Sequence, residues 1–124
     1  MRALIVDDSS FIRDYIRQQM EGLGWVCDEA EDGRVALGVL RVGVPIFDAM
    51  LVDVNMPVMD GLECVKHVRE ERLAPRMKVM MVTTEADNSF ISRALDYGAD
   101  EFLMKPFSPQ SLREKLLLMG FETA

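Results

Sequence analysis

The chain has 124 residues, of which 49% are hydrophobic and 28% charged, with a formal net charge of −7. This length is typical of one domain, and the negative charge disfavours a nucleic-acid-binding surface, which needs clustered Lys and Arg. No apolar run approaches the roughly 20 residues of a membrane-spanning helix, and the N-terminus lacks the apolar segment of a signal peptide, so we expect a cytoplasmic protein without a membrane partner.

Strand and helix patterns alternate five times along the chain. The predicted strands cover residues 2–6, 25–30, 49–53, 78–82 and 101–104. Apolar side chains recur at helical spacing over about residues 11–20, 35–40, 62–73, 86–97 and 109–119. This alternation predicts an α/β fold in which a parallel sheet is covered by helices on both faces.

Most apolar side chains in these segments are expected to pack in the core. Met80, Met81 and Met104 are expected in the core, and Phe11, Val35 and Leu117 are among the residues at apolar helical spacing. Trp25 is also expected to pack inside, whereas Phe90 and Ile91 suit either the core or a partner surface. We expect His67 on the surface. Cys27 and Cys64 lack metal-ligand spacing and are expected to be free thiols.

Polar residues follow four of the predicted strands. Asp7 and Asp8 follow the first strand, Asp53 ends the third, Thr83 and Thr84 follow the fourth, and Lys105 follows the fifth. The carboxyl ends of parallel strands lie at one edge of the sheet, which is where α/β proteins bind ligands. We therefore expect three carboxylates, two hydroxyls and one ammonium group to converge there.

This combination of groups suits phosphoryl chemistry. Neighbouring carboxylates raise one another's pKa, and Mg²⁺ relieves that repulsion because it prefers carboxylate and water oxygens. Lys105 offers a positive charge to a phosphate group, and Thr83 offers a hydroxyl donor. The chain has no GxxxxGK(S/T) loop and no base beside a Ser or Cys nucleophile, which leaves Asp53 as the candidate nucleophile. Taken alone, the stretch around Asp53 is equally consistent with a residue that only caps a loop.

Four segments carry a family resemblance. They are Leu4-Ile5-Val6-Asp7-Asp8, residues 51–61 from Leu51 to Gly61, Val82-Thr83-Thr84-Glu85-Ala86 and Lys105-Pro106-Phe107. In this order and spacing the chain resembles the receiver domain of two-component response regulators over its whole length. The resemblance implies a doubly wound (βα)5 flavodoxin-like fold with strand order 2-1-3-4-5. It also implies one receiver domain over residues 1–124 without an output domain, similar in length to the chemotaxis regulators of flagellated bacteria.

The resemblance assigns roles to individual residues. Asp53 is expected to accept a phosphoryl group from a histidine kinase, while Lys105 and Thr83 hold phosphoryl oxygens. The resemblance implies that Asp8, with Asp7 assisting through water, binds Mg²⁺ together with Asp53 and the backbone carbonyl of Asn55. The Lys105–Pro106 peptide bond is cis in the family.

The same resemblance implies a switch. Thr83 moves toward the phosphoryl group, and Phe102, at a position where chemotaxis regulators usually have Tyr, then turns inward. The implied partner surface is the face formed by helix four, strand five and helix five, with Ile91, Phe102 and Lys105 near its centre. Because Phe102 has no hydroxyl to satisfy when buried, we expect it to turn inward readily and to give a smaller activation ratio than Tyr.

The resemblance also implies that three residues modulate the lifetime of the phosphorylated state: Asn55, Thr84 and Glu85. In this family the pairing of Asn55 with Glu85 implies a signal that is lost within minutes or faster. The bulk of Thr84 opposes this by crowding the acceptor, so Thr84→Ala is expected to accelerate phosphorylation.

The resulting hypothesis is a monomeric phosphorylated switch that binds another protein and catalyses only its own phosphorylation and dephosphorylation. The alternative is a phosphorelay intermediate that passes the group to a histidine phosphotransfer protein. A haloacid-dehalogenase-like phosphatase also uses an aspartyl nucleophile, but residues 53–57 do not fit its DxDx(T/V) pattern.

Overall fold

A computed structural model describes residues 1–84 and 88–122, and within them five strands alternate with five helices, as predicted. The strands are β1 (Arg2–Val6), β2 (Val26–Ala30), β3 (Ala49–Asp53), β4 (Lys78–Thr83) and β5 (Glu101–Met104). The helices are α1 (Ser10–Gly22), α2 (Gly33–Val42), α3 (Gly61–Glu70), α4 (Asn88–Tyr97) and α5 (Pro109–Leu118). None of the described helices is both long and apolar enough to cross a membrane.

The strands form one parallel sheet in the order β2-β1-β3-β4-β5, which confirms the predicted topology. One apolar cluster packs α2, α3 and α4 against one face, and a second packs α1 and α5 against the other. Strand β3 lies between two other strands and is buried along its whole length, which explains its continuous apolar sequence.

Side-chain caps begin the helices that border the carboxyl edge of the sheet. Ser9 accepts a hydrogen bond from the backbone N–H of Ile12 at the start of α1, at 3.2 Å. Asp60 accepts one from the N–H of Glu63 at the start of α3, at 2.9 Å. Each cap is worth about 1 kcal/mol and sets where the preceding loop ends. The loops after β1 and β3 are therefore short and defined.

Met104, which was expected in the core, is instead exposed, and so are three residues of the apolar helical patterns. The exposed fractions are 78% for Phe11, 40% for Val35, 50% for Leu117 and 44% for Met104. Phe11 lies in the first turn of α1, and Met104 ends β5, which is an edge strand of the described sheet. On α2 the buried face consists of Gly33, Ala36, Leu37 and Leu40, so the helix is rotated relative to the predicted face.

Other predictions about packing are confirmed. Met80, Met81 and Trp25 are buried, and His67 is exposed. Cys27 and Cys64 are free and buried. Phe90 is buried, whereas Ile91 is half-buried at the margin of the same cluster. Three predicted boundaries were wrong: Trp25 precedes β2, β4 extends to Thr83, and α3 ends at Glu70. The predicted start of helix four at residue 86 lies outside the described residues.

Candidate functional site

The structure brings the polar residues at the strand ends to one edge of the sheet. Asp53 ends β3 and pairs in register with Val82 of β4, so Thr83 follows directly beside it. Strand β1 is in register with β3 through Val6 and Val52, which places Asp7 beside Asp53. Lys105 follows β5, and its backbone N–H donates to the carbonyl of Thr83 at 2.9 Å.

The three predicted carboxylates form one cluster. Asp7, Asp8 and Asp53 each offer an oxygen, and these oxygens lie within 4.8 Å of one another. Asp7 and Asp53 are only 2% and 8% exposed, whereas Asp8 is open to solvent. Clustered carboxylate oxygens with one side open to water match the ligand preferences of Mg²⁺. The residues present therefore fit such an ion.

Lys105 lies between the two buried carboxylates. Its Nζ is 2.9 Å from Oδ2 of Asp7 and 3.3 Å from Oδ1 of Asp53. The backbone N–H of Val54 also donates to Oδ1 of Asp53, at 2.9 Å. Both contacts fall on Oδ1, so neither of them engages the other carboxylate oxygen of Asp53.

Burial and charge shift the pKa values of two of these groups. Burial raises the pKa of Asp53, as does the charge of Asp7, and the Lys105 ammonium only partly opposes this. Burial lowers the pKa of Lys105, but its hydrogen bond to Asp7 and the charges of Asp53 and Asp7 outweigh burial and raise it overall. Lys105 therefore stays positively charged at neutral pH. Among the described residues of the cluster, one ammonium group faces three acids, so a bound cation would offset negative charge that Lys105 leaves unbalanced.

Backbone contacts hold Asp7 from several directions. Its carboxylate Oδ1 accepts from the N–H of Ser9 at 2.9 Å, and its own N–H donates to the carbonyl of Ala30 at 3.2 Å. The guanidinium of Arg13 donates to the Asp7 carbonyl at 2.6 Å. Arg13 matched no motif and was missed by sequence reasoning, because this contact depends on where β2 places Glu29, the other partner of Arg13.

The loop after β3 folds back closely on Asp53. The N–H of Gly61 donates to the carbonyl of Val54 at 2.9 Å. A Cβ at Gly61 would overlap the backbone carbonyl of Asp53, so only glycine fits there. Asn55 is exposed in this loop, and Val58 adopts a φ of 71°, which β-branched residues rarely do. The loop geometry is therefore tightly constrained.

The remaining predicted residues lie on the β4–β5 side of the site. Thr83 is fully buried and Thr84 is exposed. Phe102 is half-buried, and its ring meets that of Phe90 edge-on with centroids 6.0 Å apart. The Lys105–Pro106 peptide bond is cis, as predicted. Glu85 lies outside the described residues.

Comparisons with known proteins agree on one family. The profile described as response regulator receiver domain matches residues 3–117. The chain is 41% identical over 117 residues to a chemotaxis protein CheY homolog of Campylobacter jejuni, covering 94% of this chain and 89% of that protein. It superposes on the chemotaxis protein CheY4 of Vibrio cholerae with a TM-score of 0.86 at 36% identity, covering 94% of this chain and 96% of that one. It also superposes on the CheX-CheY-BeF3-Mg²⁺ complex from Borrelia burgdorferi with a TM-score of 0.90 at 26% identity, covering 98% and 90% of the two chains.

Proposed function

The chain belongs to the response regulator receiver domain family, and we propose that it is a single-domain, phosphorylated response regulator of the chemotaxis type. The observation that carries this proposal is the cluster of Asp7, Asp8 and Asp53 with Lys105 at one sheet edge. We propose that residues 1–124 form one receiver domain, which acts as a monomer in the cytoplasm and takes its phosphoryl group from a histidine kinase. Its output is binding to a protein partner rather than catalysis on another substrate.

In the proposed reaction Asp53 is the nucleophile. A carboxylate oxygen of Asp53 attacks the phosphorus of the kinase phosphohistidine and forms an O–P bond. The P–N bond breaks, and its electron pair leaves with the imidazole nitrogen, which takes up a proton. The ammonium of Lys105, 3.3 Å from Asp53, supports this role because it can bind a phosphoryl oxygen without moving far.

Asp7, Asp8, Asp53 and the carbonyl of Asn55 would hold Mg²⁺. When bound, the ion offsets the charge of the acids and of the incoming phosphoryl group. The carboxylate cluster supports this assignment. The Borrelia burgdorferi relative, whose complex contains Mg²⁺ and BeF3, gives independent support from the family.

The phosphorylation site is tested by labelling with acetyl phosphate and Mg²⁺, followed by intact mass measurement. We expect one added phosphoryl group on the wild type and on Asp28→Asn, which alters a half-buried aspartate of β2 outside the site. Asp53→Asn is expected to remain unlabelled. Labelling of Asp53→Asn to the wild-type extent would contradict the assignment.

We further propose that α4, β5 and α5 form the output face, with Ile91, Phe102 and Lys105 near its centre. The contact between Phe102 and the buried ring of Phe90 supports an inward position for Phe102 that Thr83 can favour further on phosphorylation. A phosphoryl group can shift this equilibrium only by its differential affinity for the two states.

Beryllofluoride, a phosphoryl mimic, tests the output face. We expect its largest amide chemical-shift changes outside the site to fall on α4 and β5. In Phe102→Tyr we expect larger changes than in the wild type, because the tyrosine hydroxyl favours the outward state before activation. Changes confined to other helices would rule out this face, and a smaller response in the Tyr variant would contradict the argument about the hydroxyl.

Asn55 and Thr84 are proposed to control how readily the acceptor is reached. Thr84 is exposed and borders an apolar cavity of about 410 Å³ together with Lys105 and Phe107. This position supports the expectation that Thr84→Ala accelerates phosphorylation. Glu85, the third predicted modulator, remains a prediction.

A further inference from the structure

Arg13 links the loop that follows β1 to strand β2. Its Nη1 donates to the carbonyl of Asp7 at 2.6 Å, and its Nε donates to Oε1 of Glu29 at 2.9 Å. The Arg13 side chain is only 16% exposed, and its guanidinium is planar and rigid. Because one edge of the guanidinium is held by Glu29, its donor to Asp7 has a set direction.

The Asp7 carbonyl belongs to the peptide plane that leads into Asp8. The carbonyl of one residue and the N–H of the next share one rigid plane, so a bond to the carbonyl sets the orientation of the whole unit. Strand β2 holds this region twice: the Ala30 carbonyl accepts from the Asp7 N–H, and Glu29 holds Arg13 against the Asp7 carbonyl. No hydrogen bond or ion pair from a described residue holds the exposed Asp8 carboxylate, so its direction depends on this backbone.

We propose that Arg13 is a positioning residue for the cation site, which orients the Asp7–Asp8 peptide so that the Asp8 carboxylate faces the other two acids. This inference rests on the proposed function, in which these acids bind Mg²⁺. Within the site, Arg13 contacts the backbone carbonyl of Asp7 behind the carboxylate cluster and is not itself a ligand. Groups outside the ligand shell that orient a ligand typically contribute about 10- to 100-fold to metal affinity.

Arg17 provides a matched control. It binds the same Glu29 through the other carboxylate oxygen, with Nε at 2.8 Å from Oε2. The two arginines therefore share a partner, a helix and a partly buried setting, but only Arg13 has a bond to Asp7. A general loss of packing or of charge at Glu29 would affect both variants.

The experiment measures Mg²⁺ binding by calorimetry in the full chain for wild type, Arg13→Ala, Arg13→Lys and Arg17→Ala. We expect Arg13→Ala to bind Mg²⁺ about tenfold more weakly and Arg17→Ala to stay within about twofold of wild type. Arg13→Lys keeps a hydrogen-bond donor but loses the planar guanidinium. We therefore expect its Mg²⁺ affinity to lie between those of Arg13→Ala and Arg17→Ala. It also serves as the test if Arg13→Ala does not fold. Labelling by acetyl phosphate should be slow in Arg13→Ala at low Mg²⁺ and should recover at saturating Mg²⁺.

A second readout needs no metal. The amide nitrogen shift of Asp8 in the metal-free protein reports on the bond to the preceding carbonyl, and we expect it to change in Arg13→Ala but not in Arg17→Ala. Unchanged Mg²⁺ affinity in Arg13→Ala, or an equal loss in Arg17→Ala, would overturn the proposal. If wild type and Asp8→Ala both fail to bind Mg²⁺, the proposed function fails and the positioning role fails with it. The Asp8 amide shift would then still show whether the Arg13 contact exists.

Discussion

Asp53 carries a charge that the fold makes unfavourable. The residue is 8% exposed and lies beside Asp7, and burial and that neighbouring charge raise the pKa of its carboxylate despite Lys105. Because the folded-state pKa is above the unfolded one, the ionised form destabilises the folded protein at neutral pH. The penalty is relieved as the pH falls through the raised pKa.

We therefore expect Asp53→Asn to be more stable than the wild type at pH 7 in the absence of divalent cations, and this gain should shrink as the pH is lowered. Urea unfolding at pH 7 and at successively lower pH measures it. Asp28→Asn, which loses a partly exposed pair with Arg2, should change stability by no more than about 1 kcal/mol. A less stable Asp53→Asn at pH 7 would show that the Lys105 contact outweighs burial.

At the scale of elements, the junction between β3 and α3 sets the position of the acceptor. Gly61 begins α3 and lies so close to Asp53 that a methyl group would meet its backbone carbonyl and the Cα of Val54. These obstacles are backbone atoms that cannot rotate aside. Helix α3 therefore contacts the end of β3 directly, and the loop between them cannot shift without moving Asp53.

We expect Gly61→Ala to destabilise the protein by about 1–3 kcal/mol and to slow labelling of Asp53. The matched control is Gly38→Ala in α2, where the added methyl group meets no atom within 4 Å. In that helix interior alanine should stabilise by roughly 0.5–1 kcal/mol. Urea unfolding measures the change in the free energy of unfolding of each variant, and we expect the two changes to have opposite signs. If Gly61→Ala left the stability of the protein unchanged, this would mean that the start of α3 can move away from β3.

At the scale of the whole molecule, an acidic protein concentrates three carboxylates at one end of its sheet. The net charge is −7, and Asp7, Asp8 and Asp53 supply part of it within a few ångströms. A ligand that binds only the folded state stabilises it in proportion to the logarithm of its concentration. Cation binding at this edge should therefore raise the free energy of unfolding of the whole protein.

At a Mg²⁺ concentration 100 times the dissociation constant we expect a gain of about 2.7 kcal/mol, which corresponds to roughly 10 °C in Tm. Thermal unfolding at constant ionic strength measures this gain. Asp8→Ala should lose most of it. An equal shift in Asp8→Ala would show that Mg²⁺ acts by general screening of the negative charge.

The sequence alone determined the class of fold and the members of the candidate site. Alternating strand and helix patterns predicted a parallel sheet, and the residues that follow its strands include Asp7, Asp53 and Lys105. This inference succeeds because parallel strands end at one edge, so chain position after a strand translates directly into position in space. The strand order came from family resemblance rather than from pattern.

Only the tertiary structure decided which apolar residues are covered and what holds the site in place. Periodicity shows which side chains share a face of a helix, but Phe11 and Val35 are exposed because none of the described elements covers them. Likewise, Arg13 reaches the Asp7 carbonyl while it is held by Glu29, which lies 16 residues further along the chain on another element. Such contacts depend on the packing of α1 against β2, and no local pattern in the sequence specifies that distance.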